Sequence, residues 1–166
     1  MDRQPPSVEL YVQSLTPSGA THRLESILDQ LDRLDRRGDI AGYDVTVWGE
    51  TVMPDSLAAR TDFGREVLET VDEFESWASA YGVSVERFYP TETVDSTLTG
   101  GEFTTVSLPV MAMAEYVDGR LQHVTPHEGD GIQTVSDRLD ALADRDTSGH
   151  DRERDDAPTV PAADDD

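Results

Sequence analysis

Residues 43–48 read Tyr-Asp-Val-Thr-Val-Trp (YDVTVW), a run of β-branched and aromatic side chains shut between Gly42 and Gly49. A run of that kind bounded by turn residues predicts a strand of buried character. Working back from it, Leu24, Ile27, Leu28, Leu31 and Leu34 recur at the spacing of one helix face, and the pattern stops near Gly38. Earlier still, Val8, Leu10 and Val12 alternate against Tyr11 within residues 8–15, which predicts a first strand. Two strands joined through a helix run parallel, ordinarily with a right-handed crossover. That pairing decides for an α/β fold.

Working forward, Phe63, Val67, Val71, Phe74, Ala78 and Tyr81 mark one stripe of a second helix from about Thr61 to Tyr81, with Trp77 bordering it and Gly82 as its stop. Val83–Tyr89 predicts another short strand, closed by Pro90. The polar stretch Thr91–Glu102, with Gly100-Gly101, reads as an irregular, mobile loop. Phe103–Tyr116 predicts one long strand, Asp118-Gly119 is a two-residue hairpin signal, and Leu121–Thr125 returns antiparallel. Thr134 and Asp137 then form a capping box before a last helix whose Val135, Leu139 and Leu142 turn inward. The order is β-α-β-α-(β)-β-β-α, an open mixed sheet. A polar lead at 1–7 precedes a single domain at 8–143, and residues 144–166 read as a disordered acidic tail.

The exterior chemistry is extreme. Among 166 residues, 35 are acidic and 13 basic, the formal charge is −22, and every basic residue is arginine. In dilute buffer such charge pushes a compact state apart, whereas at molar salt the Debye length falls to roughly 3 Å and screens it. The expectation is a protein of the salt-rich cytoplasm of an extreme halophile. The absence of cysteine excludes disulfides, thiolate catalysis and thiolate metal sites. No apolar signal core opens the chain and no run of 18 apolar residues occurs, so neither export nor a membrane partner is expected. With no lysine there is no phosphate-binding loop of the Gly-rich, lysine-bearing kind, and GxSxG is also missing. No cofactor is expected.

Five groups of residues are candidates for a site. His123, His127, Glu128 and Asp130 cluster near the end of the hairpin, but two histidines four apart share a face only on a helix and Pro126 lies between them, so solvent-facing polarity is the preferred reading. Ser14, Thr16 and Ser18 precede a helix N-terminus, as an anion pocket or simple capping both require. Glu50, Asp55 and Asp62 follow the second strand, where carboxylates can do acid–base work or merely face solvent. Trp48, Phe88, Tyr89, Met111, Met113 and Tyr116 are either core or the lining of a binding groove, with the loop at 91–102 placed beside them as a lid. Arg33, Arg36 and Arg37 form the one basic cluster, at the end of the first helix, where they complement its dipole.

The phrases VELYVQSL, YDVTVWGE, AARTDFGREVLETVDEFESWA and LPVMAMAEYVDGRLQHVTPH resemble small haloarchaeal proteins labelled helix-turn-helix domain proteins, over about Ser7 to Ala143. The resemblance implies a cytoplasmic regulatory protein that associates with DNA, and it carries no site residue. The order of elements is also similar to the thioredoxin-like fold, with Leu108-Pro109-Val110 before the strand that begins the closing hairpin and Thr16-Pro17-Ser18-Gly19 where that fold carries its redox cysteines. Three functions follow. The leading one is a non-enzymatic interaction or regulatory domain that acts through a protein partner or small ligand. The alternative is a sequence-specific DNA-binding transcriptional regulator. A small enzyme using Glu50 and Asp55 ranks last.

Overall fold

Strand β1 (Ser7–Val12) lies at the centre of the fold, hydrogen-bonded on both sides. A computed structural model describes residues 3–15, 21–98 and 100–150. On one side β1 pairs in parallel with β2 (Tyr43–Val47), Leu10 opposite Val45. On the other it pairs antiparallel with β6 (Met111–Val117), Leu10 opposite Met113. Strand β7 (Arg120–Thr125) completes the sheet in the order β2-β1-β6-β7. Between β6 and β7, Asp118 and Gly119 both have positive φ, 52° and 74°. That is the backbone a two-residue hairpin turn with the twist of its strands demands.

Because side chains alternate across a strand, the central strands β1 and β6 feed two cores. Val8, Leu10, Val12 and Met113 pack with α1 (Thr21–Arg37) and α3 (Val135–His150) on one face. Tyr11, Ala112, Ala114 and Tyr116 turn the other way, under α2 (Asp62–Tyr81). α2 begins where the Thr61 hydroxyl accepts from the Gly64 N–H, and it stops at Gly82, whose left-handed backbone lets its N–H reach the carbonyls of Ala78 and Ser79. α3 opens on the expected capping box: Thr134 N–H donates to Asp137 Oδ2 at 2.9 Å and Asp137 N–H to Thr134 Oγ1 at 3.2 Å.

Several expectations are corrected by long-range pairing. Phe103–Tyr116 is two strands in two sheets: β5 (Glu102–Ser107) ends before Leu108-Pro109-Val110, and β6 starts after it. Pro109 has no N–H with which to continue a ladder. The Gln13 side chain holds this connection by donating from Nε2 to the Leu108 carbonyl at 2.7 Å. β5 is the middle of a second sheet, β3-β5-β4, with β3 at Thr51–Val52 and β4 at Thr91–Asp95. Residues 91–95 are therefore a hairpin arm and not part of an irregular lid. Every side chain of β4 is exposed, and a strand wet on both faces has no alternation to read. Val83–Tyr89 makes only a bridge from Ser84 to Glu128, followed by a 3-10 turn at Glu86–Phe88. A two-stranded pair, β8 (His127–Glu128) with β9 (Ile132–Gln133), precedes α3.

β2 is an edge strand, so its expected burial does not hold: Val45 and Val47 are exposed and only the following Trp48 is buried. In α2, Phe63 and Tyr81 are exposed as well, although both fit the helical stripe. The expected domain end at residue 143 falls inside α3, which continues to His150, and residues 151–166 of the expected tail lie outside the described residues.

Candidate ligand-binding cleft

The face of the sheet beneath the first half of α2 is incompletely filled. β1 supplies Ser7, Glu9 and Tyr11 to the gap, β2 and its exit supply Thr46 and Trp48, and β6 supplies Tyr116. Phe63, Glu66, Val67 and Thr70 of α2 form the opposite wall of a cleft of about 420 Å³. That volume lies within the range of small-ligand sites. The floor is aromatic: the Tyr11 ring stacks on Trp48 with centroids 4.8 Å apart and meets Phe74 edge-on at 5.8 Å. Tyr89 stands behind Trp48 at 6.1 Å, and Trp48 also lines a smaller cavity of about 210 Å³ beside Met53 and Ala59.

Two features of this floor are costly to a merely structural core. The indole Nε1 of Trp48 and the hydroxyl of Tyr89 are buried without a hydrogen-bond partner among the described residues. Each such group forfeits about 1–3 kcal/mol of hydration. Glu9 is half-buried with no basic group around the cleft. Burial, and then the neighbouring Asp44 carboxylate, push its pKa upward. The hydroxyls of Tyr11 and Tyr116 are also shifted up, in each case chiefly by burial.

A family described as helix-turn-helix domain matches residues 1–147 of this sequence. The chain belongs to the helix-turn-helix domain family. No curated protein and no solved structure matches it. In this member of the helix-turn-helix domain family, the helices are not arranged as that label describes among the described residues. α1 ends at Arg37 and α2 begins at Asp62, with β2 and β3 between them, whereas the motif joins two helices by three or four residues. Arg33, Arg36 and Arg37 are exposed on α1, but Asp29, Asp32 and Asp35 share that helix, and Arg37 Nε pairs with Asp39 at 3.2 Å. Asp32 accepts from the Tyr43 hydroxyl, a bond that raises the pKa of Tyr43 to about 12.

The six residues expected to form one groove are divided by the sheet. Trp48 and Tyr116 line the cleft, while Tyr89 is buried behind it. Phe88 and Met111 instead line a separate cavity of about 450 Å³ with Pro126 and Ser136. Met113 sits in the opposite core, under α1 and α3. Glu9, Tyr11, Glu66 and Thr70 were not expected at a site. Their signal was the pairing of Glu9 with Tyr11 on the face of β1 opposite Val8 and Leu10, since a half-apolar second face needs a cover.

Of the remaining candidates, His123, His127 and Glu128 are held by other protein groups. His123 Nε2 lies 2.6 Å from Gln133 Oε1, and His127 Nδ1 lies 2.7 Å from the Val124 carbonyl. Both rings meet Trp77 edge-on, and Glu128 pairs with Arg87 at 3.1 Å. Among the described residues no three His, Asp or Glu converge as metal ligands. Glu50, Asp55 and Asp62 are all exposed. Ser14 is described, but residues 16–20 of the anion-pocket reading lie outside the described residues. No helix among the described residues is long and apolar enough to cross a membrane.

The histidine cluster predicts a pH dependence. Burial lowers the pKa of His123 below its ordinary 6.5, with Arg138 and His127 acting in the same sense and Gln133 and Glu115 against it. The unfolded chain then binds the proton more readily, so the contribution of His123 is complete above about pH 6.5 and is lost as pH falls toward the lowered native value. Thermal melts should show the wild type losing more stability between about pH 7.5 and about pH 5.5 than His123→Asn. Equal losses would refute the assignment.

Proposed function

We propose that this chain is a non-enzymatic regulatory domain of a salt-rich cytoplasm, which works by holding a small ligand in the cleft under α2. The observation that carries the reading is the open cleft of ligand size walled by Tyr11, Trp48, Phe63 and Tyr116. The lack of any recognisable catalytic motif supports it from the sequence side. The sheet order, with α1 and α3 on one face and α2 on the other, supports a thioredoxin-like scaffold that has no cysteine.

The second reading, a sequence-specific DNA-binding regulator, is favoured by the family match. A charge of −22 opposes it, because phosphate contacts lose strength with salt and the Arg33–Arg37 patch is interleaved with acids. Selection from a random duplex pool at about 2 M KCl separates the two readings. The ligand reading expects no enrichment, together with a rise in melting temperature for at least one class in a small-molecule panel. An enriched motif whose binding is lost on replacing Arg33, Arg36 and Arg37 with alanine would overturn it.

A further inference from the structure

We infer that the occupant of this cleft is an organic ammonium cation, received on the rings of Tyr11 and Tyr116 with Glu9 and Glu66 as counter-charges. The inference rests on the ligand-binding reading above. Its first ground is the sign of the lining. Two carboxylates and several rings face the gap with no arginine or histidine among the lining residues. Neither Glu9 nor Glu66 has an ion-pair partner among the described residues. An anionic ligand would meet uncompensated repulsion there.

The second ground is the chemistry of the walls. Aromatic faces attract cations through the ring quadrupole, and they favour weakly hydrated ones because no water shell has to be rebuilt. An inorganic cation such as Mg²⁺ or Ca²⁺ requires six or more oxygen ligands, and stacked rings do not supply them. Potassium at molar concentration is likewise poorly matched to a floor of carbon.

Calorimetric titration of the full chain at about 2 M KCl with choline, and with its neutral isostere 3,3-dimethylbutan-1-ol, tests this. Choline should bind saturably and at least about tenfold more tightly than the alcohol. Glu9→Gln should weaken choline by about tenfold and leave the alcohol unchanged. Because Glu9 is destabilised by burial and Asp44, that variant is expected to fold, and Glu66→Gln at the exposed rim provides a second one. A peptide bearing trimethyllysine separates a protein-borne ammonium from a free solute, and tighter binding of either supports the cation. Equal affinity for choline and the alcohol, or indifference to both glutamine variants, overturns the cation while leaving the ligand reading intact. Failure of both probes, with no other class in the panel raising the melting temperature, overturns both.

Discussion

Arg138→Met is expected to lower the unfolding free energy by about 3 kcal/mol or more. In the native protein Arg138 donates from Nε and Nη2 to the two oxygens of Glu115 at 2.6 and 2.8 Å. Glu115 follows Met111 and Met113 on the α3 side of β6, and its side chain is 3 % exposed. Removing the guanidinium leaves that carboxylate buried without its two-pronged partner, the expensive half of a broken ion pair. The opening of about 540 Å³ next to the pair, lined by Tyr81, His123 and Arg145, admits some solvent relaxation and places the loss at the lower end of about 3–5 kcal/mol. The double replacement Glu115→Leu with Arg138→Met should recover most of it, since apolar substitutes for both charges are about neutral or better. Urea denaturation at constant high salt measures both. A loss below about 1 kcal/mol in the single variant would show that the pair behaves as a surface bridge.

Phe74→Ala should cost about as much, roughly 3–5 kcal/mol, for a different reason. Phe74 is fully buried at the centre of the α2 core, edge-on to Tyr11 at 5.8 Å and to Tyr89 at 6.5 Å. Truncation removes the transfer free energy of the ring and leaves a cavity that Ala112 and Ala114 of the same core are too small to fill. Because Phe74 supports the Tyr11 ring, the variant should also weaken binding in the cleft. Phe63→Ala separates the two effects. Phe63 lines the cleft but is half exposed, so its truncation should change stability by no more than about 0.5 kcal/mol while reducing affinity. If Phe63→Ala destabilises as much as Phe74→Ala, the cleft wall is core and not a binding surface.

Much of the fold was legible because its signals are local. The α1 stripe from Leu24 to Leu34, the Gly82 stop, the Asp118-Gly119 turn and the Thr134–Asp137 cap each lie within a few residues, and each appears where its chemistry places it. The site was less legible. Trp48 and Tyr116 were anticipated together because both end aromatic strand runs, but Met113 was grouped with them although it lies on the opposite face. Aromatic and methionine content marks burial, not which side of a sheet is buried.

Helical stripes, turn chemistry, the all-arginine basic complement and the exclusion of thiol chemistry belong to the sequence alone, since each depends only on residue type and short spacing. Tertiary structure alone decided that β2 is an edge, that residues 103–116 split between two sheets at Pro109, that Glu115 meets Arg138, and that Glu9, Tyr11 and Glu66 share a cleft. The reason is that a strand's two faces are equivalent until pairing partners and covering helices are assigned. Those partners lie up to about a hundred residues away, as Val8 and Glu115 do, beyond the reach of any periodic pattern.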